Sequence, residues 1–254
     1  MVQHPHALLL DFGGVIVDAP SQPPAPDGLV RRLHDLTAGA VSLDRAAADL
    51  AEGNRRYAAW RDRTAGQDRP AEVSHTQFWD DFVTVGWPTL ARAAVRREAT
   101  ALAYQWTRRS DWAVIAGMAR LLTVAADAGL PVAIVSNTLC GGAHRDFLTE
   151  VGLAGHFAAQ LYSDEAGVRK PNPELAWQAA NAIGVPIGQC WFIGDTVDRD
   201  VACARRAGAG TAVLMRSPRT DRQPPVADLA PDLTVDNGHA CCALLERTLD
   251  DVTD

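Results

Sequence analysis

Ala7-Leu8-Leu9-Leu10-Asp11-Phe12-Gly13-Gly14-Val15 is an apolar run that ends in a carboxylate and two glycines. A short uninterrupted apolar run closed by glycine has the length of a buried strand rather than of a helix. Read so, the strand delivers Asp11 into an open loop whose glycine backbone lets a ligand approach closely. Open α/β sheets place their chemistry at such carboxyl ends of strands. On its own the run also fits an ordinary strand ending in a turn.

The chain beyond the run supplies the rest of the sheet. From about Asp111 the rhythm alternates helix and strand. An Ala-rich helix runs to Asp127, Pro131-Val132-Ala133-Ile134-Val135-Ser136 reads as a strand, and a further helix closes near Gly152. Further strands are expected at 159–162, 190–194 and 211–214, with helices near 173–183 and 199–207 and a last strand and helix after Pro231. Strands alternating with helices imply a mostly parallel sheet. Between Asp11 and Asp111 the pattern differs. A Pro-rich joint at 20–26 leads into Ala/Arg/Asp-rich sequence with helical periodicity, read as helices over about 27–38, 43–64, 74–84 and 89–106. Asp44 and Ser74 are expected starts, and Gly39, Gly66 and Gly86 interruptions. Ser217 to Pro231 reads as a connector.

Four polar sites fall at or just past separate strand ends: Asp11; Ser136-Asn137-Thr138; Arg169-Lys170-Pro171; and Gly194-Asp195 with Asp198 and Asp200 behind it. In a doubly wound sheet such ends converge on one crevice. Together they offer a nucleophilic or metal-binding carboxylate, hydroxyl and amide donors, a cation and a second acidic cluster, which are the parts needed to handle a phosphoryl group.

With these four segments in order, the chain resembles the haloacid dehalogenase-like superfamily of hydrolases over nearly its whole length. Asp11-Phe12-Gly13-Gly14-Val15 looks like motif one, Val135-Ser136-Asn137-Thr138 motif two, Gly167-Val168-Arg169-Lys170-Pro171-Asn172-Pro173 motif three and Gly194-Asp195-Thr196-Val197-Asp198-Arg199-Asp200 motif four. The resemblance implies an α/β fold, a doubly wound, Rossmann-like, mostly parallel sheet with a smaller all-helical cap. Residues 1–18 and 109–254 would form the core and 19–108 the lid. It further implies a phosphatase in which Asp11 attacks phosphorus and forms an aspartyl-phosphate. Mg²⁺ would be held by Asp11, the Gly13 carbonyl and Asp195, with Asp200 beside them. Ser136 and Asn137 would donate to phosphoryl oxygens next to the Gly13-Gly14 backbone, and Lys170 would offset charge on Asp11. Asp200 would orient Lys170 or a water near the metal; Asp198 could share that role. In the lid, Arg55, Arg56, Trp60, Arg61, Trp79 and Trp106 are candidates for substrate contact, Arg56 and Trp60 foremost, although helical Arg commonly forms a solvated face and Trp commonly packs in a core.

The chain departs from the family's pattern at Gly13, where typical phosphatases of the family carry an Asp that serves as general acid and base. Its loss should slow turnover of poor leaving groups by roughly 10²–10⁴-fold without preventing attack by Asp11. Two other readings stand beside the phosphatase: a weakly catalytic protein that binds a phosphorylated ligand, and a haloacid dehalogenase. The latter is disfavoured because family dehalogenases usually have Tyr at the position of Gly13 and do not need Asp195 and Asp200.

Composition bounds the remaining options. The 254 residues carry a net charge of −7 and no Lys/Arg-rich block, so neither nucleic acid nor an anionic membrane is expected as partner. No apolar stretch approaches the roughly twenty residues of a membrane span, and no signal-peptide pattern stands out. Five cysteines without disulfide spacing fit reduced thiols and a cytoplasmic location; Cys241-Cys242 is expected to pack on the sheet. His144 is expected to be an exposed helical histidine outside the mechanism. The expected partner is a small phosphorylated metabolite, and a homodimer is left open.

Overall fold

Leu8 and Leu10 join one hydrophobic core while Ala7 and Leu9 join another, so successive residues of one strand face opposite sides of a sheet. The computed structural model describes residues 3–18, 28–222 and 229–250, and the Pro-rich joint at 20–26 lies outside them. The first strand, β1 (Ala7–Leu10), is buried throughout. After the Asp11 loop, β2 (Val17–Asp18) pairs antiparallel with β3 (Ala113–Val114), Val17 opposite Val114 and Asp18 opposite Ala113. This two-residue ladder, too short to leave a periodic signal, ties together the points where the chain leaves the sheet region and returns to it.

The regular elements described between β2 and β3 are all helical: α1 (Leu29–Leu36), α2 (Leu43–Ala65), α3 (His75–Gln77) running into a π turn at Phe78–Val83, α4 (Thr89–Arg97) and α5 (Ala99–Thr107). Ser42, not Asp44, caps α2 by accepting from the Arg45 amide; Asp44 sits inside the first turn, where its charge complements the helix dipole. Ser74 caps α3 as expected, in a reciprocal capping box with Gln77. The helix expected over 89–106 is two helices meeting at Glu98, whose carboxylate pairs with Arg32 of α1 at 3.0 Å. Leu29, Leu50, Phe78, Trp79 and Leu102 share a core of their own, which Leu139 and Cys140 of the sheet region join.

The remaining chain alternates as read: α6 (Met118–Asp127), β4 (Val132–Ser136), α7 (Gly141–Glu150), β5 (Ala159–Tyr162), α8 (Ser163–Ala166), α9 (Glu174–Ala182), β6 (Cys190–Gly194), α10 (Ala202–Ala207), β7 (Thr211–Met215), β8 (Leu233–Val235) and α11 (Gly238–Asp250). The six-stranded sheet has the order β5-β4-β1-β6-β7-β8 and is parallel throughout. Residues of α6, α7 and α11 pack on the face carrying Leu8 and Leu10, and those of α9 and α10 on the face carrying Ala7 and Leu9. This is the doubly wound α/β fold. Burial on both faces explains the unbroken apolar runs of β1, β4, β6 and β7, where each fully buried Leu or Ile contributes about 1.5–3 kcal/mol. Cys241 and Cys242 lie in the first of these cores, and the five cysteines are unpaired and buried. No helix among the described residues is long and apolar enough to cross a membrane.

The β1 strand lies between β4 and β6, at the point where the chain's winding reverses, so the loops after these three strands open toward one crevice.

Candidate active site

The crevice at the carboxyl ends of β1, β4 and β6 is a cleft of about 220 Å³. Asp11, Ser136, Asn137, Lys170 and Asp200 all line it, although 189 positions separate the first from the last in sequence (200 − 11). Asp11 is anchored by its own amide, which donates to the Ile193 carbonyl at 2.9 Å.

Lys170 is the hub. Its Nζ donates at 2.7 Å to Asp11 Oδ1 and to the Val135 carbonyl, and lies 2.7 Å from Asp200 Oδ1. Burial alone would favour the neutral amine, but the two carboxylates outweigh it and hold the Lys170 pKa above its ordinary value. Asp200 likewise loses hydration by burial, yet Lys170 and the Thr196 hydroxyl keep its carboxyl below the usual range. Burial pushes Asp11 up, against the pull of Lys170.

Asp200 also fixes the loop that carries Asp195. Its Oδ2 accepts from the Asp195 amide at 3.2 Å, the Thr196 amide at 2.9 Å and Thr196 Oγ1 at 2.5 Å. Of the two acids the sequence left unresolved, Asp200 therefore orients Lys170, whereas Asp198 lies beside Arg199 at 3.5 Å. Asn137 is used differently from expectation: its side chain accepts from the Lys170 amide at 2.7 Å and donates to the Lys170 carbonyl at 2.9 Å. The side chain clamps the Lys170 backbone through Oδ1 and one of its two Nδ2–H donors.

Asp195 is fully buried behind the cleft wall. Gly14, with φ +85°, passes so close that a Cβ there would lie 2.0 Å from Asp195 Oδ2, which requires glycine on both counts. The connector read at 217–231 returns to this acid. Ser217 Oγ donates to Asp195 Oδ2 at 2.6 Å, Arg219 Nε to the same oxygen at 2.9 Å, and Thr220 Oγ1 to the Asp195 carbonyl at 2.6 Å. Arg219 Nη2 extends to within 3.7 Å of Asp11 Oδ2. Sequence reasoning missed Arg219, since nothing in a Pro/Arg-rich connector signals a return to a strand end. Burial, only partly offset by Arg219, raises the Asp195 pKa to about 6.

A hard cation fits this chemistry. Oxygens of Asp11, Asp195 and Asp200 lie within 4.8 Å of one another, and Asp195 Oδ1 is buried without a hydrogen-bond partner. An orphaned carboxylate oxygen in an all-oxygen cluster suits Mg²⁺, which prefers such donors.

Other expectations need correction. His144 is not exposed: it stacks on Phe12 with ring centroids 3.8 Å apart, meets Trp112 and Tyr162 edge-on, and lines the cleft. Burial lowers its pKa to about 3, so the ring is neutral at neutral pH. Arg56 does not reach the cleft; it is exposed and paired with Glu52 one turn back at 2.9 Å. Trp60 carries the Arg169 guanidinium over its ring at 4.8 Å instead of lining the cleft. Trp79 is core, its Nε1 donating to the Ala99 carbonyl. Arg61, Trp106 and Gly13 do line the cleft.

The helical layer is strapped to the sheet region beside Lys170. Ala71 bridges Val168, the Glu72 amide donates to the Gly167 carbonyl, and Arg169 Nε lies 3.4 Å from Glu72 Oε2 with both side chains buried. Ser163 Oγ donates to the same Glu72 oxygen at 2.7 Å.

A family model described as haloacid dehalogenase-like hydrolase matches residues 5–208. Among curated proteins, the chain is 35% identical over 89 residues to glyceraldehyde 3-phosphate phosphatase of Methanopyrus kandleri, covering 35% of this chain and 38% of the relative. It is 36% identical over 107 residues to phosphoserine phosphatase of Thermus thermophilus, covering 42% of this chain and 41% of the relative. The chain thus spans about two fifths of the length of these relatives. In fold it is similar to a 2-haloacid dehalogenase structure from Pseudomonas syringae, with a TM-score of 0.61 and 17% identity over 97% of this chain and 99% of that one.

Proposed function

The chain belongs to the haloacid dehalogenase-like hydrolases, and on that footing we propose that it is a Mg²⁺-dependent phosphatase of a small phosphomonoester, with Asp11 as nucleophile. The observation that carries this reading is Lys170 Nζ bridging Asp11 and Asp200 at 2.7 Å each, beside an Asp195 oxygen with no partner. The phosphatase names of the two curated relatives point the same way.

An Asp11 oxygen attacks phosphorus in line, an O–P bond to Asp11 forms as the ester O–P bond breaks, and water then cleaves the aspartyl-phosphate to regenerate the carboxylate. Lys170 fixes the Asp11 carboxylate and faces the charge that develops on the transferred group. Ser136, at the end of β4 and lining the cleft, would donate its hydroxyl to a phosphoryl oxygen. Asp11, the Gly13 carbonyl and Asp195 would hold Mg²⁺, which would supply the charge neutralisation that lets an anionic nucleophile meet an anionic phosphoryl group. Gly13 offers no proton to the leaving oxygen, which must take one from water. The helical layer described from residue 28 to 107 would serve as the lid, and a cleft of about 220 Å³ suits a compact metabolite.

A second reading rests on Gly13 itself: a protein that binds a phosphorylated ligand and turns it over poorly. Carbon–halogen hydrolysis ranks below both, because the Asp195–Asp200 acidic cluster has no use in it. Phosphate release from sugar phosphates, phosphorylated acids and p-nitrophenyl phosphate, with and without Mg²⁺, in wild type and Asp11→Asn, tests the proposal. Release that needs both Mg²⁺ and Asp11 supports it. Mg²⁺-dependent beryllofluoride binding without release would favour the binding protein.

A further inference from the structure

Two polar groups of the helical layer face the cleft with nothing to bind. Arg61, near the end of α2, has a buried Nε without a hydrogen-bond partner, and Thr107, the last residue of α5, has a buried Oγ1 in the same state. Arg61 lies over the Tyr57 ring at 5.0 Å, and no carboxylate among the described residues is within ion-pair distance of it. The other arginines that line the cleft differ in this respect: Arg109 pairs with Asp111, Arg169 with Glu72, Arg199 with Asp198 and Arg219 with Asp195.

A guanidinium has five donors and no acceptor. Burying one of those donors without an acceptor is costly, and here burial together with nearby Arg199 and Arg169 pulls the Arg61 pKa down. The phosphoryl end of the cleft already has Lys170, Arg219 and Ser136 around Asp11. Arg61 and Thr107 are donors in excess of what one phosphoryl group needs, and they belong to the helical layer rather than to the sheet.

We infer that Arg61, with Thr107, forms a second anion subsite, and that the substrate is a small phosphomonoester whose other end carries a second anionic group. This inference rests on the phosphatase reading and names the substrate class for the same site. A carboxylate and a second phosphate share the chemistry Arg61 recognises; bidentate geometry suits both.

The test compares kcat/KM for phosphoglycolate, a three-carbon bisphosphate, glycerol phosphate and p-nitrophenyl phosphate in wild type, Arg61→Gln and Arg61→Lys, with thermal melts to verify folding. We expect Arg61→Gln to lose about a hundredfold on the better of the two doubly anionic substrates, mainly through KM, and less than about threefold on the two lacking a second anion. Arg61→Lys should recover part of that loss, since it restores the charge but not the planar fork. The preferred doubly anionic substrate tells carboxylate from phosphate. Equal losses on all four substrates would place Arg61 at the phosphoryl group and overturn the inference, as would no loss on any. If wild type releases no phosphate from any substrate, the phosphatase reading fails separately. Calorimetric binding then decides the subsite: phosphoglycolate or the bisphosphate binding more tightly than glycerol phosphate in wild type, and losing that preference in Arg61→Gln, supports it, and an unchanged preference or none overturns it.

Discussion

Arg219 Nε donates to Asp195 Oδ2 at 2.9 Å while the other oxygen of that carboxylate, Oδ1, is buried and unpartnered. One acid thus has one oxygen neutralised by the protein and one left for a cation. The same arginine reaches toward Asp11, so it offsets repulsion between two carboxylates that must share a site.

Replacing Arg219 with Gln should therefore destabilise the metal-free protein by about 1–2 kcal/mol, a figure reduced from that of a fully buried pair because Arg219 is partly exposed. Saturating Mg²⁺ should return most of the loss. Urea unfolding with and without Mg²⁺ measures this, and an equal Mg²⁺-dependent gain in variant and wild type would count against it.

Gly13→Asp should supply the missing proton donor. Turnover of an alkyl phosphate such as a sugar phosphate should rise about tenfold or more, while p-nitrophenyl phosphate, whose leaving group needs no proton, should change little. Steady-state phosphate release on both substrates checks this; a folded variant with no gain on the alkyl phosphate would show that more than the acid is lacking.

His144 ties stability to pH. Its folded pKa of about 3 lies below the ordinary histidine value, so between roughly pH 6.5 and 3 the unfolded chain binds a proton that the folded one does not. Stability contributed by the neutral ring is present above pH 6.5 and is lost as pH falls toward 3. From pH 7 to 5 the loss should be about 2 kcal/mol. His144→Leu should remove this part of the acid dependence, measured as the difference between wild type and variant in urea unfolding at the two pH values. Parallel losses in the two proteins would exclude the assignment.

How much of this was legible beforehand depended on range. The strands at 7–10, 132–136, 190–194 and 211–215 are buried on both faces, so their composition alone marks them. Asp11 and Asp195 directly follow the ends of β1 and β6, whereas Lys170, expected at a strand end, comes after the short α8 and Asp200 sits in a helical turn just past Asp195; topology still brings the four together. The β2–β3 ladder left no trace because two residues have no period. His144 was expected to be exposed because a helical histidine usually is, whereas its burial depends on Phe12, distant in sequence. Arg219 escaped for a related reason: a long-range return to Asp195, fastened by Ser217 and Thr220, has no local signature.

The Glu72–Arg169 pair holds the helical layer against the sheet region next to Lys170. Both side chains are almost wholly buried, so Glu72→Ala, which leaves Arg169 without its carboxylate, should cost about 3–5 kcal/mol. Glu72→Leu combined with Arg169→Met should recover most of it. A double-mutant cycle by chemical denaturation gives the coupling, and additive losses would show that the pair does not act as a unit.

The central claim is that Asp11 becomes covalently phosphorylated. The most direct measurement is an acid quench of the enzyme during turnover with Mg²⁺ and its best substrate, followed by mass spectrometry of the peptide containing Asp11. We expect a hydroxylamine-sensitive phosphoryl group on Asp11 that is absent from Asp11→Asn. Phosphate release that proceeds with no phosphoryl group on that peptide, and that survives in Asp11→Asn, would contradict it.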